Sequence, residues 1–551
     1  MKIFAYSGGS HCAGMTLLEN GKPVFAFEEE RFNRIKAYKD YYNHHFRIPV
    51  QSTAWAKKEF NLDFNDIDYV TTYYPELGPT GVYEAKEIFQ QSDLGDFPQE
   101  KFIFTDHHDS HCYLAYYTSG FEEDTLVISL DASGGDYSGK FYLGKNGNLD
   151  YIDGLKLDVK SFGHYYALLT EFLGFKRLKD EGKIVGMASH GNFNQRYYDI
   201  FNKIIKVIGT QTDKESIYND STKHKYGHVL SKIYKDFYNE FFEQIGSAFY
   251  KHELNDIAYN GQLVFEEKII ELIQNLKKKA PTATKIAASG GVFANVKLNK
   301  RINELDWVEE VYITPPMGDE GCNWGCGLYI HKLKNPDFKP YKLNDVFLGV
   351  EFSDTEVGDV FWDKDKFKRE IYYPEIIAKE LKEGNIVGWF QGRYEHGPRA
   401  LCNRTILADP SVPGTYKKIN DKLQRNDFMP FAPVVLDTEA DNVFHVTKSR
   451  YTAEFMTMLY DTKDEWKDKI KAVVHPVDGT ARIQIVTPKS NGKFYDLLTQ
   501  FHNLTQIPVL LNTSFNVHGE PIVCMPNEAF NHLENGIVDT LVINNFIYRK
   551  I

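Results

Sequence analysis

Cysteine is scarce in this chain. Six in 551 residues are too few for a disulfide framework, so a reducing, cytoplasmic setting is expected. Long apolar runs are missing too. None approaches the roughly 18–20 residues of a membrane span, and Ile3–Tyr6 is too short for a signal-peptide core. Positive charge is in deficit: 64 basic against 76 acidic residues leave a net −12, a poor balance for wrapping nucleic acid. Glycine and proline, at 40 and 21 residues, are ordinary in number, and no low-complexity tract occurs. With 42% hydrophobic and 15% aromatic residues, a disordered or fibrous chain is excluded. At about 150 residues per domain, the length suggests about three or four lobes.

What is present is a repeated grammar. Lys2–Ser7 reads as a strand, Gly8-Gly9-Ser10-His11 as a turn, Met15–Leu18 and Val24–Phe27 as further strands joined at Asn20-Gly21. Asn-Gly between apolar runs is the strongest short-range hairpin signal. The pattern returns as Thr125–Leu130, the Gly-rich turn Asp131–Asp136, Gly139–Leu143, Asn146-Gly147 and Leu149–Ile152. Two such units predict an internal duplication, with Gly-rich turns whose exposed N–H groups suit phosphate oxygens. Phe162–Leu173 and Asp256–Lys277 then show helical periodicity. Lys285–Ala288 reads as a strand running into Ser289-Gly290-Gly291 and a helix to about Leu305, and Val311–Thr314 leads to a helix over Cys322–Leu333. Lys334–Asp345, with two prolines and three lysines, reads as a linker, placing a domain boundary near 345. Beyond it, Ile386–Phe390, Pro433–Leu436 and Val509–Leu511 read as strands.

Three constellations carry chemistry. His107 and His111 are spaced i, i+4. On a helix capped by Asp106 or Thr105, their Cβ atoms lie about 5–6 Å apart on one face, which suits two ligands on one metal. The bland reading is a solvated helix start. Asp131 and Asp319, each at a strand end beside a Gly turn, are the candidate carboxylates; alone, each reads as a turn Asp bonded to its own backbone. Two His and two carboxylates suit an iron-like or manganese-like ion. Cys322 and Cys326 read as packing residues. Second, Ser133-Gly134-Gly135 and Ser289-Gly290-Gly291, with Asn295 one turn on, form a nucleotide signal only when taken together. Third, residues 391–425 hold seven basic against three acidic residues. Arg393, Arg399 and Arg404 there can grip a phosphate bidentately, unless they form a surface charge cluster. Asn512–Asn516 offers small polar groups at a strand end.

These stretches resemble the O-carbamoyltransferases of nodulation-factor and antibiotic biosynthesis. The resemblance runs from Ala26–Arg31 to Pro508–Pro521 through His107–His111, Asp180–Ala188, Gly290–Val292, Gly388–Arg393, His396–Leu401, Pro430–Pro433 and Leu511–Asn516. It implies an α/β protein of two parts. Residues 1–345 would form a duplicated actin/sugar-kinase-like domain and residues 346–551 a YrdC-like α+β domain. The C-terminal part would convert carbamoyl phosphate and ATP (with Mg) to carbamoyl adenylate. The N-terminal part, holding a divalent metal (iron in the family), would pass the carbamoyl group to an acceptor hydroxyl on a sugar, an aminocyclitol or a modified nucleoside.

The resemblance assigns His107, His111, Asp131 and Asp319 to the metal, and Ser133, Gly134, Gly135, Gly290, Gly291 and Asn295 to the nucleotide. Arg399, Arg404, Lys422, Arg425, Asn512 and Ser514 are expected at the carbamoyl phosphate and ATP site. His11 is expected as the base on the acceptor hydroxyl, against a turn histidine. Lys183 is expected to stabilise the leaving phosphate, against an ordinary surface lysine. The chain departs from the family's pattern at Cys12, Cys402, Thr405 and Met429; only Met429, in place of an arginine, removes a phosphate contact. No membrane or nucleic-acid partner is expected; homodimer formation is left open. The alternatives are a tRNA threonylcarbamoyl-type transferase, which needs an RNA surface, and a non-catalytic nucleotide-binding module.

Overall fold

The computed structural model describes residues 1–7, 12–37, 41–42, 45–46, 49–73, 99–135, 137–156, 161–206, 239, 243, 253–424 and 430–551. The chain divides into two compact units, Tyr69–Lys342 and Met1–Asp68 with Leu343–Ile551. The passage from 342 to 343 lies next to the expected boundary at 345. Residues 1–68, expected with the N-terminal part, group with the C-terminal segment.

The N-terminal strands are where the pattern put them. β1 (Lys2–Ser7), β2 (Gly14–Glu19) and β3 (Lys22–Glu28) form an antiparallel meander. Asn20 and Gly21 both take positive φ, 50° and 79°, the two-residue turn whose twist matches a hairpin. The Tyr69–Lys342 unit begins with the parallel pair β4 (Tyr69–Tyr73) and β5 (Phe102–Thr105). Helix α1 (His107–Ser119) follows. Next come β6 (Thr125–Gly134), β7 (Tyr137–Lys145) and β8 (Asn148–Lys156), a second meander turned at Asn146 and Gly147, φ 52° and 78°. After helices α2 (Phe162–Phe172) and α3 (Leu254–Lys279) come β9 (Lys285–Ser289), α4 (Val296–Asn303), β10 (Glu310–Ile313) and α5 (Cys322–Lys334). β9 pairs parallel to both β6 and β10, giving the order β8-β7-β6-β9-β10. Meander plus parallel pair thus occurs twice, in keeping with the duplication read from the sequence.

One turn differs from expectation. The Gly-rich segment after Leu130 stays in β6 to Gly134, with the register broken between Leu130 and Gly134. An irregular strand end bends the chain and re-aims side chains, and Asp131 sits in that bend.

The C-terminal segment builds an eight-stranded mixed sheet with helices packed on it, an α+β arrangement. Its strands are β11 (Phe367–Ile371), β12 (Val387–Phe390), β13 (Arg404–Ala408), β14 (Ala432–Leu436), β15 (Gln484–Val486), β16 (Val509–Ser514), β17 (Thr540–Ile543) and β18 (Phe546–Lys550). Their order is β11-β18-β17-β12-β13-β16-β14-β15. Trp389, Phe494, Leu498, Val434, Leu510 and Val542 meet in its core, none more than 1% exposed. Each aliphatic or Phe side chain so buried contributes about 1.5–3 kcal/mol. Among the described residues, no helix is long and apolar enough to cross a membrane.

Candidate metal centre and anion-binding residues

The Asp106 side chain accepts a hydrogen bond from the Asp109 N–H at 3.1 Å and caps α1. The cap starts the helix so that His107 and His111 occupy one buried face, ring centroids 4.9 Å apart. Asp131 approaches from β6 and Asp319 from the turn leading into α5. His107 Nε2 lies 3.7 Å from Asp319 Oδ1 and 4.0 Å from Asp131 Oδ2. His111 Nε2 lies 3.6 Å and 3.5 Å from the same two oxygens. The four expected metal residues therefore converge.

The approach of α5 to α1 depends on Gly325. A Cβ there would stand 1.9 Å from the Ser110 carbonyl oxygen, so only glycine lets the helices close enough to bring the start of α5 onto the histidines. That start also delivers Cys322, whose Sγ lies 3.3 Å from His111 Nε2. The sequence reading set both cysteines down as packing residues. Cys326 is a buried thiol outside the cluster, whereas Cys322 is grouped with His107, His111 and Asp319. The informative spacing was Asp319–Cys322, i, i+3 at a helix start, rather than Cys322–Cys326.

Polar contacts around the cluster fix the imidazoles. Ser289 Oγ donates to the Met317 carbonyl at 3.2 Å and accepts from Thr314 Oγ1 at 3.1 Å. Its single hydrogen being used, it accepts from His111 Nδ1–H at 2.9 Å, leaving Nε2 facing the carboxylates. His108 lies outside the cluster. Its Nε2 donates to the Tyr137 carbonyl at 2.9 Å and its Nδ1 accepts from Ser129 at 2.7 Å. Burial lowers its pKa to about 3. Burial also pulls His107 down, the nearby carboxylates only partly opposing it. For His111 burial acts downward too, but Cys322, Asp131 and Asp319 outweigh it and the net is upward. Burial pushes Asp131 up, yet hydrogen bonds and charge from the histidines, with the Gly291 N–H at 3.1 Å, hold it well below the usual carboxylate range.

His107 is the informative residue. It is 1% exposed, and among the described residues neither ring nitrogen has a hydrogen-bond partner. Leaving a buried polar group so costs about 1–3 kcal/mol, which a cation between the imidazoles and carboxylates would offset. Two imidazoles with carboxylates are a sound donor set for a divalent transition ion, so the residues fit the metal that the family resemblance implies.

The glycines expected to cradle a nucleotide have a nearer task. A Cβ on Gly134 would stand 2.1 Å from His107 Cδ2, and one on Gly290, at φ 111°, 2.1 Å from the Leu130 carbonyl oxygen. Gly134→Ala must therefore displace the His107 ring. Metal affinity is expected to fall at least about tenfold, by analogy with disturbed second-shell partners, with the far-ultraviolet circular dichroism unchanged; equilibrium dialysis measures it. Gly135 takes φ 63° beside half-buried Ser133, and Gly291 holds Asp131. Asn295 caps α4 by accepting from Leu298 N–H and exchanges both amide groups with Gln262, so its side chain is committed within the protein. Lys183 pairs with Asp180 at 3.1 Å and lies over the Phe175 ring. His11 and Arg425 lie outside the described residues.

The arginine run is not one phosphate nest. Arg404 is fully buried, its Nη atoms donating to the carbonyls of Gln391, Asn403, Val350 and Gly392, and its guanidinium stacks 3.5 Å from the Phe390 ring centroid. Burial lowers its pKa to about 10. Arg393 likewise serves the carbonyls of Gly349, Leu348 and Val24. Arg399 is half-buried. Lys422 holds Asp539 and the Gly536 carbonyl, both at 2.8 Å. Asn512 donates to Gln484 and the Ala400 carbonyl and accepts from Thr405. Ser514 ends β16 opposite Thr405.

Sequence reasoning gave no role to the run Glu28–Arg31. In the structure, Arg31 Nε donates to Glu28 Oε2 at 2.7 Å and Nη2 to the Gly397 carbonyl at 2.9 Å. The Gly397 N–H returns to Glu28 Oε1 at 2.7 Å, and His396 Nδ1 is 3.2 Å from it. This fully buried clamp holds the loop leading to Arg399. Three acids and an arginine at a strand-to-helix junction were the available signal.

Comparison with known proteins agrees with the resemblance. The family descriptions Carbamoyltransferase N-terminus and Carbamoyltransferase C-terminus match residues 79–328 and 378–550. An uncharacterized protein of Methanocaldococcus jannaschii is 30% identical over 98% of both chains. The nodulation protein NolNO of Sinorhizobium fredii is 26% identical over 98% of this chain and 79% of its own. The 3'-hydroxymethylcephem-O-carbamoyltransferase of Amycolatopsis lactamdurans is 27% identical over 82% of this chain and 81% of its own.

Proposed function

The chain belongs to the carbamoyltransferase family of enzymes, and from that premise we propose that it is an O-carbamoyltransferase working in two stages. In the first, residues 346–551 let water cleave carbamoyl phosphate to carbamate and inorganic phosphate, and the carbamate oxygen then attacks the α-phosphate of ATP, forming carbamoyl adenylate as pyrophosphate leaves. In the second, residues of the Tyr69–Lys342 unit pass the carbamoyl group from the adenylate to a hydroxyl, whose proton is lost as AMP leaves. The observation that carries this reading is His107, a buried imidazole with no hydrogen-bond partner among the described residues, facing two carboxylates and a second imidazole.

His107, His111, Asp131 and Asp319 would hold the cation. Such a cation supplies Lewis acidity toward a carbamoyl or phosphate oxygen. The chain's own groups do the rest. Ser289 fixes the His111 tautomer, the Gly291 N–H orients Asp131, and the close helix pair keeps water out. At the other stage, carbamoyl phosphate is small and strongly anionic, so capture needs fixed cations. Arg399, Lys422 and Arg425, with the Ser514 hydroxyl, are assigned that role. Arg404 and Asn512 shape the site through the carbonyls and amides they hold.

Incubating the protein with ATP, carbamoyl phosphate and ferrous ion, with a panel of alcohols, tests the reading. Pyrophosphate release and a carbamate ester by mass spectrometry are expected; no release with any metal would favour a nucleotide-binding module instead. Arg399→Ala should fail in activation, by about tenfold to a hundredfold for one lost charge-assisted contact, yet still transfer from pre-made carbamoyl adenylate. Equal loss of both reactions would contradict the division of labour.

A further inference from the structure

We propose that Cys322 is an additional metal ligand in this chain, making the centre a mixed imidazole, carboxylate and thiolate site for a borderline divalent ion such as iron, cobalt or zinc. The inference rests on the metal reading above and goes beyond its two histidines and two aspartates.

The geometry points to this in three ways. One donor atom each from His107, His111, Asp319 and Cys322 lie within 4.8 Å of one another, all four residues being buried. Ligands about 2.0–2.3 Å from a common ion stand at most about 4.0–4.6 Å apart, so side-chain shifts of a few tenths of an ångström to about 1 Å would bring the four atoms onto one cation. Second, the thiol faces polar groups, with an imidazole nitrogen at 3.3 Å. A cysteine serving as a small apolar filler would face carbon. Third, its position is imposed by the helix pair. Gly325 packs against the Ser110 backbone, and a Cβ on Gly321 would meet the Pro316 carbonyl oxygen at 2.1 Å. The first turn of α5 is thus pinned, and Asp319 and Cys322 come onto the histidines together.

Thiolate is a soft ligand, and its presence favours iron, cobalt or zinc over the hard ions that prefer oxygen alone. On coordination the S–H bond breaks, the sulfur lone pair goes to the metal and the proton passes to solvent. No redox step is involved.

Cobalt(II) added to the full chain reads this directly. The wild-type and Cys326→Ser proteins should show visible d–d bands of bound cobalt and a near-ultraviolet sulfur-to-cobalt charge-transfer band. Cys322→Ser should keep the d–d bands, lose the charge-transfer band and bind cobalt at least tenfold more weakly. Wild-type d–d bands without a charge-transfer band, or a band that survives in Cys322→Ser, would overturn the thiolate ligand and leave the metal reading intact. Wild-type protein with no bound cobalt, and with none of iron or zinc by elemental analysis, would overturn both.

Discussion

Replacing His107 by alanine should abolish carbamoyl transfer while leaving pyrophosphate release untouched. Among the described residues neither ring nitrogen of the imidazole has a hydrogen-bond partner, so its removal breaks no hydrogen bond there. What it loses is one ligand and edge contacts with the rings of Tyr73, His108 and His111, centroids 5.2, 5.1 and 4.9 Å away. Metal content should fall below one-tenth of wild type. If bound cation contributes several kcal/mol to the transfer transition state, transfer falls by roughly a thousandfold, at 1.36 kcal/mol per decade. Fold stability should hold or rise, because an unsatisfied buried ring is removed. Separate assays of pyrophosphate release, of transfer from pre-made carbamoyl adenylate, and of metal by elemental analysis check this. Concurrent loss of pyrophosphate release would place both reactions at one centre.

The histidines and aspartates were legible because each obeys a local rule. An i, i+4 pair shares a helix face, and acids at strand ends beside glycines face clefts. Cys322 was not legible as a ligand, because its place depends on how closely two helices approach, and that is set by Gly325 against Ser110 in another part of the chain. The arginines show the opposite failure. A count of charge over residues 391–425 does not distinguish Arg399 from Arg404, whose guanidinium is enclosed by four carbonyls and the Phe390 ring. Nor does a Gly-Gly pair announce whether its missing side chains make room for phosphate or for a neighbouring imidazole, as Gly134 does. The strands that were read are apolar runs such as Thr125–Leu130, the mark of strands buried on both faces; Tyr69–Tyr73, Phe102–Thr105 and five strands of the C-terminal sheet, from Phe367–Ile371 to Phe546–Lys550, were not read.

The second large effect is expected at Arg31. Its partner Glu28 illustrates the physics. Burial pushes the Glu28 carboxyl up, but Arg31, His396 and the Gly397 N–H pull it from 4.5 down to about 2. A depressed folded-state pKa contributes stability above the unfolded value and loses it as pH falls from about 4.5 toward 2. The shift corresponds to roughly 3 kcal/mol at neutral pH. Arg31→Met leaves that carboxylate buried without its cation, and breaking a buried pair this way costs about 3–5 kcal/mol. It also releases the carbonyls of Glu395 and Gly397, which Arg31 holds, and so loosens the loop that carries Arg399. Urea unfolding at neutral pH should show the full loss, and pyrophosphate release should fall further than the folded fraction does. Pairing the change with Glu28→Gln should recover part of the stability and flatten the pH dependence between 4.5 and 2, because no charge is then left stranded. Because the carbonyls stay unheld, activation should remain low in the double variant. Recovery of activation along with stability would mean that the clamp serves folding alone and that Arg399 is positioned by other contacts.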